Sequence, residues 1–203
     1  SGNVGAIDAI CQALAEQNLE PVPIFVSSGR DPEIRAELLE YFQGENNEEI
    51  QLLLDTTSFS VSGINNIDRQ SALRPPCPPI FVTKQNTNNL DIPVFQAILS
   101  GGTKEQWESQ FQGLSPRDVA MNVALPEVDG NIITRAVSFK GVQSQNEDLE
   151  TDVVGYVPAS DRLRFVAELA ANWVKLKQTP AAERRVALIL ANYPNRDGRL
   201  ANG

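Results

Sequence analysis

Apolar positions along this chain follow two patterns. Short, mainly apolar runs, most of them containing several β-branched residues, occur at Val22–Val26, Ile50–Leu54, Ile92–Leu99, Val119–Leu125, Ile132–Val137 and Val186–Ala191. Runs of this kind predict buried strands, because a strand covered on both faces has no wet side on which polar residues would alternate. Elsewhere apolar residues recur three or four apart, which predicts amphipathic helices. These are Val4–Asn18, with Val4, Ile7, Ile10, Cys11 and Leu14, then Pro32–Gln43, Lys104–Phe111 and Asp161–Lys177. The last carries Leu163, Val166, Leu169, Ala170, Trp173 and Leu176 on one face. Asp31-Pro32 supplies an N-cap and a first-turn proline, Thr103 caps the third helix, and Gly44 stops the second. Ser115-Pro116-Arg117-Asp118 starts a further helix or turn.

Strands alternating with helices imply right-handed crossovers and a mostly parallel sheet. The expected fold is therefore α/β, a flavodoxin-like three-layer arrangement with helices on both faces, in one domain over residues 1–203. Two departures are expected. The apolar runs on either side of Pro126–Asn131 predict a hairpin-like segment near 119–137, with Asp129-Gly130 as turn residues. Residues 64–89 read as an insertion: Pro75-Pro76-Cys77-Pro78-Pro79 and Asn86-Thr87-Asn88-Asn89 forbid regular structure, apart from a short extended stretch at Ile80–Thr83. Gln143–Val153 is acidic and polar and reads as a mobile loop. There is no internal repeat.

Charge narrows the function. With 26 acidic against 17 basic residues the formal net charge is -9, which argues against binding a phosphate backbone. The chain has no histidine, so Ser-His-Asp and Cys-His nucleophiles and histidine metal cages are excluded. Cys11 and Cys77 lack CxxC spacing and read as two reduced thiols of a cytoplasmic protein. No apolar run reaches the roughly 18 residues of a membrane span, and no export signal is present. The polar ending after a strong strand reads as a cut within a longer protein.

Ligands of open parallel sheets bind beyond the carboxyl ends of the strands. The corresponding loops here are Ser27–Arg30, Asp55–Ser58, Ser100–Thr103, Glu127–Gly130 and Asn192–Arg199. Gly101-Gly102-Thr103-Lys104 lacks P-loop spacing and reads as a helix cap, so ATP is not expected on this chain. If Glu127 and Asp129 lie on a strand, i and i+2 point to the same side. Two carboxylates so placed suit a hard divalent cation or proton acceptance; the same residues also suit a solvated turn. Arg196 and Arg199 offer guanidinium forks for ligand carboxylates, or simply form a solvated, salt-bridged turn. Trp107 and Trp173 occupy apolar helix positions and read as core.

Several segments carry a family resemblance across most of the chain. They are Ile92-Pro93-Val94 through Gly101, Gly113–Asp118, Met121–Gly130, Ile132–Phe139, Asp161-Arg162 and Val186–Gly203. Pro126-Glu127-Val128-Asp129-Gly130 matches a Pro-Glu-(Leu/Val)-Asp-Gly motif. Together they resemble the large, tetrapyrrole-binding subunit of aerobic cobaltochelatase, related to the large subunit of magnesium chelatase. The ending Ala191–Gly203, ANYPNRDGRLANG, follows the cobalt-type pattern, whereas Arg74–Asn89 matches no family signature. The resemblance implies a piece of a metal-inserting ligase of cobalamin biosynthesis that binds hydrogenobyrinic acid a,c-diamide, a corrin-type tetrapyrrole, with cobalt as substrate metal. It implies ATP and magnesium on separate AAA-type ATPase partner subunits, and no turnover by the isolated segment. It makes Glu127 the catalytic candidate, as metal handler or pyrrole base; residue chemistry adds Asp129, Arg196 and Arg199 as substrate-binding candidates and Glu127 with Asp129 as metal candidates. Competing readings are a scaffold or subunit-docking domain without ligand contact, a magnesium-protoporphyrin chelatase domain, and a flavin module. The flavin module would need a Ser/Thr-rich phosphate loop that the first strand lacks.

Overall fold

The computed structural model describes residues 4–26, 31–43, 50–58, 92–146 and 151–189. In chain order these form α1 (Gly5–Glu16), α2 (Pro32–Gln43), β1 (Leu53–Asp55), β2 (Val94–Thr103) and α3 (Lys104–Ser109). A helical rod in three parts follows: α4 (Pro116–Val119), a π-helical turn (Ala120–Ala124) and α5 (Leu125–Val128). Then come β3 (Ile132–Asn146), β4 (Thr151–Pro158) and α6 (Ser160–Gln178). The strands form one sheet in the order β1-β2-β3-β4. The first three are parallel, with Leu53 opposite Val94 and Phe95 opposite Ile132, and β4 runs antiparallel to β3. An α/β fold with a mostly parallel sheet is thus what the spaced apolar runs implied. The flavodoxin-like expectation needs correction in strand order. The described strands lie side by side in chain order rather than in the 2-1-3-4-5 order of flavodoxin-like sheets, and β4 lies antiparallel beside β3 at the edge.

Alternation along β2 divides the core. Phe95 and Ala97 face α1 and α6, where Ala97 packs with Ile10, Val137, Leu163 and Val166, and Phe95 meets the Trp173 ring edge-on at 5.6 Å. Ile98 faces the other way, in a cluster with Ala136, Phe139 and Ala159 that Trp107, Leu114, Val123 and Ile133 cover. Both tryptophans therefore pack on sheet residues, but neither is buried as a core residue: Trp107 is partly covered and Trp173 is 38% exposed. Helices lie on both faces, which explains why β2 carries no exposed alternate residues in its first half.

Four local expectations are overturned. Val119–Leu125 is helical, not a strand, so the segment near 119–137 is a helix leading into a strand and not a hairpin. The reason lies upstream: the Ser115 hydroxyl accepts from the Asp118 amide at 3.1 Å, and Pro116 takes the first turn, where its missing N–H is harmless. A short apolar run does not distinguish strand from helix by itself. Asp129-Gly130 is a helix C-cap. Gly130 N–H donates to Glu127 C=O at 2.9 Å and Asn131 N–H to Pro126 C=O at 3.0 Å, the paired bonds of a Schellman motif. Gly130 takes φ +84°, a conformation that glycine adopts without Cβ strain.

Gln143–Val153 is a third correction, since β3 extends to Asn146 and β4 begins at Thr151. Val22–Val26 and Val186–Ile189 are the fourth: neither is a strand. The insertion at 64–89, the loops Ser27–Arg30 and Asn192–Arg199, residues 190–191, and Cys77 lie outside the described residues. Cys11 is a free, half-buried thiol. Among the described residues no helix is long and apolar enough to cross a membrane.

Candidate functional site

One polar residue interrupts the apolar run of β2. Gln96 sits on the face opposite α6 and is wholly buried. Its amide group donates to Thr57 C=O at 2.8 Å, and its carbonyl accepts from Asn131 Nδ2 at 2.9 Å. The Asn131 amide nitrogen also lies 3.3 Å from Asp55 Oδ2. Asp55 Oδ1 in turn accepts from the Thr57 amide at 2.8 Å. The end of β1, the middle of the sheet and the exit from α5 are thereby tied together.

A second set of bonds ties the other end of the rod to the same face. Asp118 is 5% exposed. One oxygen accepts from Ser100 Oγ at 2.8 Å; the other accepts from the Gly101 amide at 3.1 Å and Asn122 Nδ2 at 3.2 Å. Asn122 Oδ1 accepts from Ser58 Oγ at 2.6 Å. A cavity of about 300 Å³ opens beside Ser100, bounded by Thr103, Gln106, Trp107, Gly113 and Ser115, at the lower end of small-molecule sites. Its Trp107 wall is packed against Phe139 at 5.3 Å and has the Arg162 guanidinium over it at 4.5 Å. Arg162 Nε also donates to Ala136 C=O. Burial, and then the nearby Arg135 charge, pull the Arg162 pKa down, with Asp161 acting in the opposite sense. Arg135 itself lies over the Phe165 ring.

The rod sets where the sequence-predicted carboxylates go. Its π turn bonds Leu125 N–H to Ala120 C=O, and the wider turn makes room for Pro126, which would otherwise press on the carbonyl four residues back. The final turn then buries Pro126 and leaves Glu127 and Val128 exposed, while Asp129 is 3% exposed. Glu127 and Asp129 therefore do not share a side: the strand spacing that would align them does not apply in a helix. Nor does Glu127 lie on the carboxyl rim of the sheet. It ends a helix that runs back across the sheet and precedes β3, which puts it at that strand's amino end. Arg196 and Arg199 fall outside the described residues. Among the described residues no group of three His, Cys, Asp or Glu side chains could hold a metal ion. Thr103 is a helix cap as read from the sequence: its hydroxyl accepts from the Gln106 amide at 3.2 Å, and Gln106 Oε1 accepts from the Thr103 amide at 3.1 Å.

The hydrogen-bonded set around Gln96, Asn122 and Asn131 escaped the sequence reading. Its signal is present in one place, a glutamine in the middle of Ile92–Leu99 where every neighbour is apolar or proline. A buried amide needs partners, and that need implies a polar strip above the strand.

Comparison with known proteins places this geometry. Residues 1–203 match the family described as CobN/Magnesium Chelatase. The aerobic cobaltochelatase subunit CobN of Sinorhizobium sp is 40% identical over 203 residues, all of this chain and 15% of that protein. The Pseudomonas aeruginosa subunit of the same name is also 40% identical, with the same coverage. The corresponding magnesium-chelatase subunit of Rhodobacter capsulatus is 26% identical over 94% of this chain and 15% of its own length. Among solved structures, the catalytic subunit of cobaltochelatase from Mycobacterium tuberculosis superposes with a TM-score of 0.70 at 30% identity, over 99% of this chain and 15% of that one. The chain thus spans about 15% of the length of the relatives it matches.

Proposed function

The chain belongs to the CobN/magnesium chelatase family, and from that premise we propose that it is the part of an aerobic cobaltochelatase large subunit that presents Glu127 to the tetrapyrrole. The parent protein would bind hydrogenobyrinic acid a,c-diamide and insert cobalt, as substrate metal, with ATP and magnesium used by AAA-type partner subunits. The relatives' names support cobalt over magnesium, at 40% against 26% identity.

The observation that carries the reading is the orientation of the Pro126–Gly130 turn. It is pinned by the buried ring of Pro126, the buried Asp129 and the bonds of Asn131, and the acidic side chain it turns outward is Glu127. A carboxylate on a rigid helix end can accept a pyrrole proton or meet an incoming divalent ion without reorganising. Asp129 acts in this reading by holding the turn, and Arg196 and Arg199 by pairing with corrin carboxylates. The 300 Å³ cavity beside Ser100 takes a side arm at most, so the macrocycle would be enclosed together with the rest of a family-length subunit.

Glu127→Gln in the complete ATP-driven complex tests this. Cobalt insertion should fall by about 100-fold or more, the low end of what a general base contributes, while tetrapyrrole affinity, read by absorption and fluorescence titration, stays within about twofold. Unchanged turnover would remove Glu127 from the reaction. Unchanged turnover together with no tetrapyrrole binding by the 203-residue chain would leave a scaffold.

A further inference from the structure

Two apolar runs stand outside both halves of the core. In the second, Val186, Leu188 and Ile189 are 88%, 82% and 91% exposed. In the first, Phe25 is 93% exposed, and Val22 and Ile24 also face water. Neither run pairs with a strand among the described residues. Burial of these side chains is favourable because it removes apolar surface from water, and contiguous exposed apolar surface marks an interaction site. The composition points to the kind of site. Apolar, β-branched runs without polar alternation suit strands covered on both faces, and an exposed strand backbone is a template for pairing.

The surroundings agree. Helix α2 follows the first run, and none of its described side chains belongs to either core cluster. Its Ile34, Leu38 and Tyr41 instead line a groove of about 650 Å³ with Val22–Val26. This is half of a strand-and-helix layer without its sheet. Meanwhile the whole chain aligns to only 15% of each large subunit it resembles, so most of such a protein is available to supply the missing strands, tethered at high effective concentration.

We propose that Val22–Val26 and Val186–Ile189 are strands of a second sheet, completed by parts of the same large subunit outside these 203 residues, with α2 on one of its faces. Pro23 cannot donate to a ladder and places the first run at an edge. The inference rests on family membership and exposure, and is independent of any role for Glu127.

Hydrogen exchange read by mass spectrometry tests it, on the 203-residue chain and on the full-length subunit that contains it. Amides of 184–189 and 22–26 should exchange at least about 100-fold more slowly in the full-length protein. Equal rates in both would overturn the proposal. So would protection in the 203-residue chain alone accompanied by a doubled mass, which would make the occupant a second copy. In the full-length subunit, Leu188→Asp should abolish protection of 184–189 while Phe95–Ile98 stay protected. Retained protection of 184–189 in that variant would count against the second sheet.

Discussion

Asp118 and Ser138 show how differently two buried polar side chains can act. Asp118 accepts from Ser100, Gly101 and Asn122, so Asp118→Ala leaves those donors unpaired and should cost about 3 kcal/mol of unfolding free energy. The Ser138 hydroxyl, fully buried in β3, has no partner among the described residues. Ser138→Ala should therefore be neutral or stabilising by about 1 kcal/mol. Urea midpoints of the two variants check the pair; equal shifts would contradict both assignments. Cys11 offers a test by pH. Burial first, and then the Asp8 carboxylate one turn back, raise its pKa. The folded state then holds the thiol proton at a pH where the unfolded chain has lost it, so stability declines as pH rises past the unfolded thiol's pKa. At pH 8 iodoacetamide should alkylate Cys11 more slowly than a cysteine peptide, and Asp8→Asn should recover part of the rate. A rate unaffected by Asp8→Asn would remove the carboxylate as a cause.

At the scale of elements, the turn from the helical rod into β3 depends on one backbone conformation. Gly130 closes the Schellman motif at φ +84°, so Gly130→Ala should cost about 1 kcal/mol and loosen Asn131 from Gln96 and Asp55. Denaturant unfolding, with the Asn131 side-chain amide followed by NMR, reads both effects; a variant as stable as the parent would contradict the motif. The same turn marks where sequence reading failed. Asp-Gly after an apolar run signals a hairpin or a helix C-cap equally well, and what separates them is whether the run is helical. Ser115-Pro116 holds that information well upstream of Glu127, as a helix start whose reach into Val119–Leu125 a short apolar run conceals. Helix α3, through its Thr103 cap, and helices α1 and α6, through their periodic apolar faces, were legible because these determinants are local. The placement of Glu127 was not, since it follows from a π turn that no spacing rule announces.

For the whole molecule, the α/β class and the mostly parallel sheet followed from alternating runs, and β1, β2 and β3 lie close to where those runs fell. Strand order did not follow, because it depends on which edges remain open. The apolar runs at Val22–Val26 and Val186–Ile189 mislead for a related reason: their composition matches a burial that the described residues do not supply. The described sheet has a further property, in that its spatial order equals its order along the chain. Each strand joins the edge left by the one before it, and none must be threaded between two strands already paired. A ribosome delivering this chain supplies the strands in the sequence in which they are needed. The sheet can thus grow by accretion during synthesis, one strand at a time.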